Sequence, residues 1–214
     1  MKQLLELRAK SKESGLQRAI SFYCTDGKAV LWRDIKAAAD EIGQGGDVRV
    51  IGCGDDVGEY GVDLMDGVDP QLLADIIRSV MHQAAASGGQ AADTFWPNLA
   101  SNLIRVCAVI ARAWECTNDG LELISKTGER IYSIVMVYQL ALDGDLQERA
   151  VRAVLDALND EKQWPYIADY AGVELMDSIH YLRKSWMELA KDTKTGITAN
   201  VTNALAPFAS NVRL

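Results

Sequence analysis

The sequence predicts an α/β segment over residues 1–66, holding a small parallel sheet, and an all-α domain over residues 67–214, so that the chain is mostly helical overall. Three observations carry this expectation. The first sixty-odd residues alternate helical spacing with short apolar runs, strand-like runs stop before Asp69, and every later apolar stripe repeats at helical intervals.

Within the α/β segment, Met1 to Lys12 is a helix candidate with Leu4, Leu5 and Leu7 on one side. Ala19 to Cys24 suits a buried strand and is closed by Thr25-Asp26-Gly27-Lys28. Val30 to Ile42 resumes helical spacing through Leu31, Ile35 and Ala38, with Gly43 where a helix C-cap is wanted. After a turn at Gln44–Asp47, Val48, Val50 and Ile51 form a second expected strand, ending in the loop from Gly52 to Gly61. Helix, strand, helix, strand implies a parallel pair.

The all-α domain opens at Asp69-Pro70, Asp as N-cap and Pro at the first helical position, followed by Leu72, Leu73, Ile76, Ile77 and Val80. That helix ends near Ala86, before Gly88-Gly89. The next runs from near Phe95 through Leu99, Leu103, Val106, Ile110 and Trp114, a four-three alternation sustained for more than four turns. Further stripes follow at Ile131–Leu142, Val151–Leu158, Leu175–Leu189 and Val201–Val212. Each shows one apolar face, so the helices must bury those faces on one another.

Composition narrows the function classes. Of the 214 residues, 49% are apolar and 24% charged, the balance of a folding chain. Polar side chains interrupt every apolar run well before the roughly 20 residues a bilayer needs, and no secretory signal is visible after Met1. Cys24, Cys53, Cys107 and Cys116 lack CxxC spacing and suit reduced, buried thiols, hence a cytoplasmic setting. A net charge of −8 argues against a surface that coats nucleic acid as a whole.

Few motifs carry chemistry. Gly52-Cys53-Gly54 with Gly58 fails as a phosphate loop, because Asp55, Asp56 and Glu59 repel an anion, and it reads as a surface turn. GxxxxGK[ST] is absent, and Asp192-Thr193-Lys194-Thr195-Gly196 reads as a loop that ends a helix. His82 and His180 lack metal-ligand spacing, and Trp32, Trp96, Trp114, Trp164 and Trp186 read as core. Catalytic, cofactor-binding and metal residues are therefore all assigned as none. Arg183, Lys184, Lys191 and Lys194 gather positive charge along one helix and past its end, an arrangement suited to phosphate or partner contact. Its simpler reading is a solvated helix face with cations near a C-terminus.

Four stretches resemble the VirD4/TraG/TraD coupling proteins of conjugation and type IV secretion. Ser21 to Lys28 is similar to the strand and turn after that family's P-loop helix, and Asp63 to Pro70 to its segment leading into the helical domain. Thr94-Phe95-Trp96-Pro97-Asn98-Leu99 resembles the Phe-Trp start of a long helix in that domain. Gly196 to Phe208 resembles the segment that closes the helical insertion. The resemblance implies part of a RecA-like P-loop NTPase sheet over 1–66, with the Walker A and Walker B motifs outside this chain. The complete protein would be a hexameric ATPase using ATP and magnesium at the cytoplasmic face of the inner membrane. This piece would be inactive alone, with no family catalytic residue on it. Its helical part would engage relaxase or effector and adaptor cargo, while the acidic balance of residues 67–214 leaves it to bind DNA only weakly. The alternative is a stand-alone helical adaptor that binds a protein partner without nucleotide.

Overall fold

The computed structural model describes residues 2–13, 24, 31–50, 65–86, 94–163 and 174–209. They fall into two compact units, one built on Met1–Val62 and the other on Asp63–Val212. In the first, α1 (Lys2–Glu13) contacts α2 (Leu31–Glu41), and a 3₁₀ turn follows at Gly45–Asp47. Leu5, Ala39 and Val50 are its buried apolar residues among those described. Gly43 lies in the left-handed region at φ +70, where a Cβ is strained, and it terminates α2 as its position in the sequence suggests.

The expected parallel sheet is overturned, because every regular element among the described residues is helical. Val48 to Val50 is irregular backbone, and Cys24, at the end of the other expected strand, is exposed and outside any element. Residues 19–23 and Ile51 lie outside the described residues. The physical reason is the shortness of the runs. Runs with three to five apolar residues read equally as strand or as buried coil, and a strand exists only with a hydrogen-bonded neighbour. A RecA-like core is therefore not part of the described fold.

In the second unit α3 (Pro70–Ala86) starts as its sequence dictates, with Leu72 N donating to Asp69 Oδ1 at 2.9 Å. At the centre is α4 (Phe95–Glu115), whose residues from Leu103 to Trp114 are buried on almost every side. A helix apolar all round needs neighbours all round, and α4 touches α3, α5 (Asn118–Thr127), α6 (Ile134–Leu142), α7 (Gly144–Leu158) and α9 (Lys191–Ala209). Pro97 is tolerated because it stands in the first turn, where no intrahelical N–H bond is lost.

Side-chain caps fix the connections. Thr117 accepts from Gly120 N and Ser133 from Met136 N, starting α5 and α6. Asp143 alone separates α6 from α7 and accepts from both Asp145 N and Leu146 N. Residues 174–188 form α8, whose last turns widen to a π-helix at Tyr181–Trp186.

Asp192 to Gly196, expected to be a loop, is instead the first turns of α9. Thr195 Oγ1 bonds Lys191 O at 3.0 Å, Thr198 Oγ1 bonds Lys194 O at 3.0 Å, and Asn200 Nδ2 bonds Gly196 O at 2.9 Å. Residues that usually divert backbone from helices here bond back to carbonyls within one.

Candidate functional site

The four cations singled out by sequence meet the α8–α9 corner. Arg183 and Lys184 lie exposed on the π-helical turns, and Lys191 is exposed at the first position of α9. Lys194 is different. Its Nζ donates to Met187 O at 3.1 Å and sits 5.8 Å from the centre of the Trp186 ring. A cation bonded to a terminal carbonyl is the arrangement the macrodipole of α8 favours, so Lys194 joins α9 to the end of α8. Glu188 and Asp192 are also exposed in this corner, which leaves a small local surplus of positive charge.

Two polar junctions brace the C-terminal end of α4. The Trp114 indole donates to Asp119 Oδ2 at 2.7 Å, and Arg149 Nη2 donates to Asp119 Oδ1 at 3.0 Å with its guanidinium 5.6 Å from the Trp114 ring. Burial alone would raise the Asp119 carboxyl, but those two hydrogen bonds and the Arg149 charge hold it below its ordinary value. Glu115 accepts from Tyr132 N at 2.7 Å and from Arg130 Nη2 at 3.0 Å, while the Tyr132 hydroxyl donates to Val68 O at 2.7 Å. Burial foremost, with the charges of Asp69 and Glu115, pushes the Tyr132 hydroxyl up to about 12. Each partner is occupied in holding helices together.

The expectation of buried thiols holds for Cys107, holds in part for Cys116, which is half-buried, and fails for Cys24, which is exposed, while Cys53 lies outside the described residues. Burial pushes the Cys107 thiol far up and the Cys116 thiol up as well, which suppresses the thiolate. No group of three or more His, Cys, Asp and Glu residues is placed to hold a metal. His82 is half-buried on α3 and His180 exposed on α8. Trp114 and Trp186 are core residues, and Trp96 and Trp32 are half-buried. Trp164 and the glycine loop from Gly52 to Gly61 lie outside the described residues. A depression lined by Tyr138, Leu142, Asp143 and Leu146 is open to solvent, unlike an enclosed ligand pocket.

One surface feature was not anticipated. On α3, Leu73, Ala74 and Ile77 are buried, yet Leu72, Ile76 and Val80 are 51%, 48% and 52% exposed. The signal was in the sequence, since the doubled pairs Leu72-Leu73 and Ile76-Ile77 spread apolar residues over more than one face.

Among the described residues no helix is long and apolar enough to cross a membrane. Comparison with protein-family models, curated proteins and solved structures finds no match for this chain.

Proposed function

We propose that the helical unit is a protein-binding domain of a coupling protein of the VirD4/TraG kind, receiving relaxase or effector cargo in the cytoplasm. One observation carries this proposal. Two of the stretches that resemble that family, Thr94 to Leu103 and Gly196 to Phe208, meet each other. The Trp96 ring lies against Gly196 so closely that a Cβ there would come within 2.5 Å of Cζ3. Matching segments separated by a hundred residues thus form one packed contact, as expected if a long helix of the helical insertion and the segment that closes it belong to one domain. In this account ATP, magnesium and hexamer formation are handled by segments other than the helical unit.

The helical character of the described residues and the lack of GxxxxGK[ST] favour a second reading, a stand-alone helical adaptor. Coding sequence upstream of Met1 separates the two, because a nearby in-frame GxxxxGK[ST] belongs only to the coupling protein. The cargo role itself is tested by calorimetric titration of the chain with a purified conjugative relaxase and with an effector or adaptor protein, without nucleotide. A saturable complex at about micromolar affinity is expected with one of them. Absence of heat and of co-elution with all of them contradicts the proposal.

A further inference from the structure

Independently of that function, we propose that Asp66-Gly67 is a site of spontaneous covalent modification, closing to a succinimide and reopening to isoaspartate in the turn that leads into α3. The chain holds four Asp-Gly dipeptides, beginning at Asp26, Asp66, Asp119 and Asp143. Glycine after aspartate permits this chemistry, because no Cβ shields the peptide nitrogen that must attack the side chain. Asp26-Gly27 lies outside the described residues, and the fold sets the other three apart.

At Asp119 and Asp143 the carboxylate is held away from the next nitrogen. Asp119 accepts from the Trp114 indole at 2.7 Å and from Arg149 Nη2 at 3.0 Å, while Gly120 is buried within α5 and its N donates to Thr117 Oγ1 at 3.1 Å. Asp143 Oδ1 reaches past Gly144 to accept from Asp145 N at 2.9 Å and Leu146 N at 3.1 Å. Reaction at either pair requires its helix start to open first. Asp66 is placed differently. Its side chain is 82% exposed and meets Arg130 Nη1 at 3.9 Å, beyond hydrogen-bond length. Gly67 is exposed at φ +70, and among the described residues no atom beyond its chain neighbours lies within 4 Å of where a Cβ would stand.

In the reaction Gly67 N bonds to Asp66 Cγ, and one water leaves, made of a carboxyl oxygen with its proton and the amide hydrogen. A second water adds to the Asp66 main-chain carbonyl carbon, breaks its bond to Gly67 N and returns a hydrogen to that nitrogen. The chain then runs through Cβ and Cγ and is one atom longer. Both flanks of the turn are anchored, since Met65 is buried and Val68 O accepts from the Tyr132 hydroxyl at 2.7 Å. The added length falls between these anchors and loosens the start of α3.

Ageing the whole chain for several weeks near neutral pH, in water labelled with heavy oxygen, and then mapping its peptides tests this. Label and isoaspartate are expected at Asp66 about tenfold faster than at Asp119 or Asp143, a ratio set by the opening those two need. In guanidinium, where opening is complete, the three are expected to react within about threefold of one another. Asp66→Asn should react faster still, because an amide is not ionised as a carboxylate is, and Asp66→Glu should leave the site unlabelled. The aged wild-type chain is expected to melt about 2–4 °C below aged Asp66→Glu, each compared with its fresh sample. Equal rates at the three pairs in the folded chain, or no label at Asp66, overturns the site. A chain that carries isoaspartate at Asp66 yet melts as the fresh one does overturns the loosening.

Discussion

Gly196 of α9 lies directly beneath the ring of Trp96 from α4, with Cζ3, Cη2 and Cε3 all within about 3 Å of where a Cβ would stand. A rigid indole cannot swing away as a lysine end would. Gly196→Ala is therefore expected to destabilise the fold by about 1–2 kcal/mol. Overpacking costs about 1–3 kcal/mol and outweighs the gain of about 1 kcal/mol that alanine brings to a helix. In a Trp96→Ala background the same substitution should stabilise instead, by up to about 1 kcal/mol. Urea unfolding of the four proteins checks the reversal of sign, and stabilisation by Gly196→Ala in both backgrounds contradicts the packing.

That contact also marks how far the sequence was legible. The starts of α3 and α4 follow from Asp69-Pro70 and from the long four-three alternation after Phe95, both local signals. The place of Gly196 does not, because Asp192 to Gly196 is rich in residues that usually end helices, and back-bonding, the Trp96 ring and the burial of Ile197 support the helix there. α5 also went unread, although Thr117 and Gly128 are its N-cap and C-cap, since its apolar stripe is short. The sheet was expected from runs too short to distinguish strand from coil. At the candidate site, sequence grouped four cations, while the role of Lys194 at Met187 O depends on a turn that brings α9 back to α8.

Tyr132 predicts an alkaline limit to stability. Its hydroxyl is raised from an ordinary value of 10 to about 12, so the native state holds this proton more tightly than the unfolded chain. The contribution is complete below pH 10 and is lost as pH rises through 12. Tyr132→Phe should cost about 1 kcal/mol at neutral pH through the lost bond to Val68, and should flatten the decline above pH 10. Urea midpoints across pH 7 to 12 measure it, and identical slopes for the two proteins contradict it.

Asp119 acts at the opposite end. A lowered carboxyl contributes stability above the unfolded value near 3.9, and that contribution is lost as pH falls through the lower folded value. Asp119→Asn is expected to cost about 1 kcal/mol at neutral pH, with the difference from wild type narrowing below about pH 4. Thermal midpoints in an acid series test it, and a difference unchanged by acid is the opposing result.

Nucleotide binding is expected to be weak, because the sequence has no GxxxxGK[ST] loop to cradle β and γ phosphates. Calorimetric titration with Mg-ATP should show no saturable heat and no turnover. Micromolar affinity or clear hydrolysis contradicts the reading.

The central claim, that the helical unit's partner is chiefly protein, is tested most directly by fluorescence anisotropy with single- and double-stranded oligonucleotides across a salt series. From Gly67 to Leu214 the chain carries thirteen Lys and Arg against eighteen Asp and Glu, a net −5. Of the grouped cations, Lys194 is already engaged at the end of α8. Three or four phosphate contacts give a salt slope of only about −0.9 each, too few for tight attachment. The predicted result is no binding tighter than about 10 µM at about 0.15 M salt. Submicromolar binding under those conditions, abolished by replacing Arg183, Lys184, Lys191 and Lys194, is the result that contradicts it.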